Sequence, residues 1–160
     1  MPETSREKTV WDAIKTILTT DSDLSYLKNV FEGWRENNAQ EGFPSVYMEP
    51  VSAPETFYAM PNRYKTDFEI KLIGEILVND FDKQIFGQAA SGDLPLIIGI
   101  MDLANDIKSV LAKYPNLDAG AGATCQKFNF TNTIYSFNQF PFRQVDITMK
   151  IELITTGYKR

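Results

Sequence analysis

The residues that could do chemistry in this chain are few, and one type is missing altogether: the sequence contains no histidine. A Ser-His-Asp triad and an HExxH zinc site are thereby excluded. Cys125 is the only cysteine. A cysteine nucleophile normally needs a histidine base beside it, so Cys125 reads as an inert, buried or half-buried thiol. Alone, it cannot close an internal disulfide, which suits a reducing compartment. The run from Gly87 to Gly92 is the nearest approach to a phosphate loop, but it lacks the Gly-Lys-Ser/Thr ending that supplies charge and a magnesium ligand. It reads as a flexible connection. Asp80 and Asp82 flank Phe81 without the glycine and glutamate spacing of a calcium loop, so a solvated turn is expected. Asp21 and Asp23 stand ahead of an apolar pattern, where helix capping accounts for them. The chemistry-bearing residues therefore predict no metal, no cofactor and no enzyme.

The composition points the same way. At 160 residues, with 43% hydrophobic and 23% charged, the chain has the makeup of one globular domain spanning 1–160. Sixteen basic and 21 acidic residues leave a net charge of -5, the wrong sign for a nucleic-acid reader. No apolar run reaches the length of a membrane span, and residues 1–8 lead straight into a polar helix start with no signal-peptide pattern. A soluble protein of intracellular origin is expected.

The elements follow from periodicity. Thr4 and Glu7 have capping-box spacing, and Val10, Trp11, Ile14, Ile17 and Leu18 form a helical stripe over 5–19. Leu24, Leu27, Phe31 and Trp34 continue at intervals of three and four, which predicts a second, short helix ending near Gly33. Residues 43–49 form a short strand candidate held to an edge by Pro44. Residues 50–63 carry three prolines and read as a long loop or projecting arm. Residues 64–78 alternate apolar and charged, and form the clearest strand, with Gly74 as a possible bulge. Residues 79–93 read as a polar connection. Asp93 is placed to cap a central helix with Pro95 in its first turn and a broad apolar stripe from Ile97 to Leu111. Residues 119–123 read as a flexible tip. Two strands close the chain: 124–137, with Phe128, Phe130 and Ile134 on one face, and 143–156, with Val145, Ile147, Met149, Ile151 and Leu153 on one face. The order α-α-β-β-α-β-β predicts an α+β fold, an antiparallel sheet with helices on one face. Ile100, Leu103, Ile107 and Leu111 are expected to pack on Phe68, Ile70, Val145, Ile147 and Ile151.

Two sets of side chains remain. Phe57, Tyr58 and Met60 sit among prolines, and Phe140 and Phe142 flank the turn proline Pro141. Apolar groups on projecting segments either fold back into the core or mark a subunit interface, and both readings are open. The polar face of the 64–78 strand carries Asp67, Glu69 and Glu75 with Lys65 and Lys71 among them. It is either a solvated sheet face or a surface that meets something charged.

Taken together, several features carry a resemblance. These are the capped first helix, Phe-Pro-Ser-Val-Tyr at 43–47 and the long alternating strand at 64–78. Ile-Met-Asp-Leu-Ala-Asn-Asp-Ile follows at 100–107, and the last hairpin ends in Ile-Glu-Leu-Ile-Thr-Thr at 151–156. In element order and size, over nearly the whole chain, this resembles the tail terminator (tail completion, or tail-to-head joining) proteins of long-tailed bacteriophages. The resemblance implies a structural virion protein that forms a homo-oligomeric, hexameric ring at the head-proximal end of the tail tube and ends tube polymerisation. Its neighbours would be the tail tube protein on one face and the head connector or neck protein on the other. DNA would pass through without specific binding, past Asp67, Glu69 and Glu75 if their face lines the channel. The implied place is the head–tail junction of the virion, with no membrane contact. Head-completion and connector ring proteins of similar length form the alternative within the virion. A small-molecule-binding or enzyme domain would instead be a monomer with a deep polar pocket.

Overall fold

Ser5 begins the first helix: its side chain accepts the Lys8 N–H at 3.1 Å, and α1 runs from Arg6 to Thr20. Its apolar stripe buries Val10, Ala13, Ile14, Ile17 and Leu18. The computed structural model describes residues 5–33, 42–59, 63–136 and 140–156; within these, the side chains of 57–59 and 155–156 lie outside the description.

The expected second helix is replaced. Ser22–Leu24 forms one 3-10 turn, capped by Asp21, and the chain then extends as strand β1, Asn29–Glu32. A helix of some ten residues is marginal without strong packing. Here Val30 and Phe31 instead gain a full partner strand, since β1 pairs in parallel with β2, Ser45–Ser52.

The remaining strands are β3, Glu55–Ala59; β4, Arg63–Leu77; β5, Lys127–Ser136; and β6, Phe142–Thr156. The sheet order is β1-β2-β4-β6-β5, with β3 also on β4. Apart from β1–β2, all pairings are antiparallel. The expected arm at 50–63 is thus mostly strand. β2 and β3 lie one after the other along the same side of β4, separated by an irregularity around Pro54, whose carbonyl still accepts the Asp67 N–H.

Helix α2, Ile100–Ala112, packs with α1 on one face of this sheet, giving the expected α+β architecture. Ile100, Leu103, Ile107 and Leu111 share one buried core with Phe68, Ile70, Val145, Ile147 and Ile151, as the alternation predicts. Gly74 is what lets α2 close on the sheet. A Cβ there would lie 2.9 Å from Leu103 Cδ2 and 3.1 Å from Val145 Cγ1. Helix ends meet through Lys113, whose ammonium lies 3.1 Å from Asp21 and 2.5 Å from Asp23, while the Tyr114 hydroxyl donates to Asp21 at 2.9 Å.

Two expectations shift. α2 starts at Ile100 with Gly99 as N-cap, so Asp93 and Pro95 lie before it and not in its first turn. In β5 the register slips between Phe130 and Asn132. A one-residue slip moves every later side chain to the other face. Phe128 and Phe130 face the helices, but Ile134 is 51% exposed opposite Asp146 on the far face.

Candidate assembly surface

The polar connection expected over 79–93, together with 94–99, which the sequence places at the start of the central helix, forms a defined structure of its own. Asp80 caps a 3-10 turn, Phe81–Lys83, by accepting the Asp82 N–H. After it the chain forms a small projecting arm. Gln88 and Ile97 exchange both backbone hydrogen bonds, at 2.8 and 2.9 Å, and Ser91 and Leu94 close the tip around Gly92, which has φ of +54°. A residue at positive φ inside so tight a turn favours glycine. At the base the two strands of the arm nearly touch: a Cβ on Gly87 would lie 1.7 Å from the Ile97 carbonyl oxygen. Asp102, in the first turn of α2, holds this base, its Oδ2 accepting the N–H of Gly87 at 2.6 Å and of Gly99 at 3.2 Å. Within the run from Gly87 to Gly92, Gly87 thus serves a backbone crossing and Gly92 the turn at the tip.

Buried Gln84 fastens the same segment to the β5–β6 connection. Its Nε2 donates to the Val78 and Pro141 carbonyls, and its Oε1 accepts from Arg143 Nε at 3.0 Å. This clamp sets Phe81 on Phe140, with ring centroids 4.2 Å apart and planes at 15°. Phe142 meets Phe43 edge-on at 5.5 Å and pairs with Leu77 across the sheet. Leu77, Phe43 and Leu96 then line a cleft of about 320 Å³ with Tyr26 and Lys28. The result is an apolar end to the molecule. Phe81 is 64% exposed, Phe86 60% and Leu96 53%, in a region where burial would be expected of such side chains.

Among the aromatic residues singled out from sequence, Phe140 and Phe142 therefore sit together at this end. Phe57 pairs by backbone with Tyr64, but its side chain, that of Tyr58, and the whole of Met60 lie outside the described residues. The sequence reading places Phe81 and Phe86 in the polar connection 79–93, and Leu94 and Leu96 in the first turn of the central helix. The signal for an exposed apolar end lies in Phe81, Ile85 and Phe86, large apolar residues inside a connection otherwise polar and glycine-bearing.

The far face of the sheet, without helices, is charged. Lys65 lies 3.1 Å from Glu152 and 3.6 Å from Asp67, and Lys150 lies 3.6 Å from Asp67. Lys71 approaches Asp146 at 3.9 Å and Lys127 approaches Glu152 at 3.7 Å. The hydrogen bond to Glu152, with neighbouring Asp67, raises the Lys65 pKa above its ordinary value. Asp67 and Glu69 are half-buried on this face, whereas Glu75 is only 8% exposed and so does not present itself to solvent in the single chain. Cations and anions alternate here, so this surface is closer to neutral than the three acidic residues alone suggest.

Among the described residues no group of acidic or cysteine side chains has the arrangement of a metal site, and no helix is long and apolar enough to cross a membrane. Burial pushes the Cys125 thiol up to about 11, which keeps it protonated and unreactive at neutral pH.

No protein-family model and no curated protein sequence matches the chain. Among solved structures, a chain described as "Virion of native gene transfer agent (GTA) particle" superposes with a TM-score of 0.53, over 90% of this chain and 93% of that one. This is a fold found in a gene transfer agent virion. At 14% identity the likeness is one of fold. It runs through most of the length of both chains.

Proposed function

We propose that the chain is a structural protein of a phage-like virion, acting at the head–tail junction as a ring that ends the tail tube and joins it to the head connector. The observation that carries this reading is the full-length fold likeness to a gene transfer agent virion chain. The apolar end supports it, because exposed Phe81, Phe86 and Leu96 need a protein surface to cover them. In this reading the arm and the Phe81–Phe140 stack face a neighbouring virion protein, and the role is mechanical, with no reaction catalysed. DNA crosses the ring as cargo, past the charge-balanced far face bearing Asp67 and Glu69.

The test is to add the purified chain to polymerising tail tube protein and to measure tube lengths by electron microscopy. Shortened tubes capped at one end by a ring are expected. Unchanged tube lengths, with binding to the connector alone, would replace this role by that of a head-completion ring. Binding to neither would remove the chain from the junction.

A further inference from the structure

The returning strand of the arm has one paired side and one open side. Ile97 exchanges both backbone hydrogen bonds with Gln88. Successive residues of an extended strand turn their N–H and C=O to opposite sides, so those of Leu96 and Ile98 point away from the incoming strand. Among the described residues none of these four groups has a hydrogen-bond partner. The cleft of about 320 Å³ is lined by residues 96–98 and by none of 86–89, so it runs along this open side. We propose that the 96–98 edge captures an extended segment of the neighbouring virion protein by strand addition, with a large apolar side chain of that segment in the cleft and a carboxylate against Lys28. This rests on the junction reading and states what the apolar end recognises.

Three residues make too short an edge to recruit strands indiscriminately. A segment added here depends on the side-chain pocket beside the main-chain bonds, which is how strand addition acquires specificity. That pocket is formed. Phe43 and Leu77 give it apolar walls, and Leu77 and Leu96 remain exposed in the single chain. The Tyr26 hydroxyl donates to Asp106 at 2.8 Å, so its polar atom is satisfied and its ring serves as wall. The edge is also held in place before any partner arrives. Asp102 fixes the base of the arm, and Gln88 Nε2 donates to the Pro95 carbonyl at 2.9 Å, one residue ahead of the edge. An edge fixed in advance loses little freedom on binding.

Lys28 sets the sign of the partner. It is the one charged residue lining the cleft. Its backbone N–H donates to the Pro44 carbonyl at 2.9 Å, and its stem lies along Gly42, where a Cβ would come within 3.3 Å of Lys28 Cβ and Cγ. The far-face lysines each stand near a carboxylate, whereas Lys28 has none within ion-pair distance among the described residues. A segment carrying Glu or Asp beside its apolar anchor meets this charge, and one carrying Lys or Arg is repelled by it.

The experiment screens the full chain against blocked hexapeptides that carry one central Leu, Ile or Phe, with Glu, Lys or Thr at the flanking positions. Binders should carry Glu and exclude Lys. Hydrogen exchange with the best binder present should slow at the Leu96 and Ile98 amides by about tenfold or more, and change less at Ile97, which is already paired. Leu96→Pro removes an N–H that faces the cleft and should weaken binding by about tenfold or more, while Leu96→Val should retain it. Lys28→Glu should turn the preference from Glu to Lys. Unchanged melting of the variants would show that the fold is intact. Absence of any binder would overturn the proposal, as would binding that ignores both Leu96→Pro and Lys28→Glu. Binding without slowed exchange at Leu96 and Ile98 would overturn strand addition. Tube lengths measured with the unaltered chain decide the junction reading separately. Capped tubes without peptide binding would overturn this edge alone, and peptide binding without capped tubes would overturn the junction reading and with it the identity of the partner.

Discussion

Leu103 sits directly over Gly74 where the helix layer meets the sheet, and each predicts a measurable effect. Leu103 is fully buried, so Leu103→Ala should cost about 2–5 kcal/mol in urea unfolding, as removal of a core leucine does. Gly74→Ala overpacks the same spot and should cost about 1–3 kcal/mol. Because the clashing atom belongs to Leu103, the double variant should lose less than the two single costs together. Asp21 makes a pH prediction. The Asp23 backbone N–H, helped by Lys113 and Tyr114, holds its carboxyl below the ordinary value of 3.8. A group whose folded pKa is depressed stabilises the fold above its unfolded pKa, and that contribution disappears as pH falls through the folded value. The helix-end clamp should therefore hold at pH 5 and weaken below about pH 4. The gap in unfolding midpoint between wild type and Asp21→Asn should close over that interval; a gap independent of pH would show that the carboxylate charge is not what matters.

At the scale of elements, the arm at 87–98 and the helix α2 are one mechanical unit, because Asp102 accepts from both ends of the arm's base. Asp102→Ala removes a helix-capping carboxylate and two hydrogen bonds at once, and should cost about 1–2 kcal/mol. The distinguishing readout is local. The Gly87 and Gly99 amides should exchange faster, while amides in the β4–β6 ladder keep their relative order of protection. Uniform acceleration through the whole molecule would mean that the arm has no independent stability. The same element-scale view explains the far face of the sheet. Its lysines and acids are interleaved by strand pairing, Glu69 with Lys150 and Glu152 with Lys127, which no single strand reveals.

For the whole molecule, the net charge of -5 and the balanced far face predict poor affinity for DNA. Each unopposed phosphate contact would add about one unit to the salt slope of binding. Here the far-face lysines Lys65, Lys71, Lys127 and Lys150 already stand close to a carboxylate. Duplex DNA mixed with the assembled chain at low salt should show no micromolar binding; tight, steeply salt-dependent binding would contradict passage as cargo. The apolar end predicts a second whole-molecule outcome. Phe81→Ser with Phe86→Ser should leave the monomer's unfolding midpoint nearly unchanged, because both rings are mostly exposed, yet should reduce incorporation into particles. Normal incorporation would mean that this end faces solvent in the particle.

The long strands, the two helices and most of the core were legible in the residues, because a half-buried strand must alternate and an amphipathic helix must repeat near 3.6. Phe68, Ile70, Ile147 and Ile151 declared their face by spacing alone, and so did Val10, Ile14 and Leu103. What periodicity could not decide was everything governed by a partner far along the chain. Leu24, Leu27 and Phe31 have helical spacing, yet residues 29–32 become a strand because the β2 edge was there to receive them. Ile134 lost its place in the core through one extra residue in β5, an event visible only against β6. Gly87 and Gly99 are twelve positions apart, and the sequence places the first in a connection and the second within the central helix's apolar stripe. Only the crossing of two backbones, locked by a carboxylate from α2, shows why neither has room for a side chain.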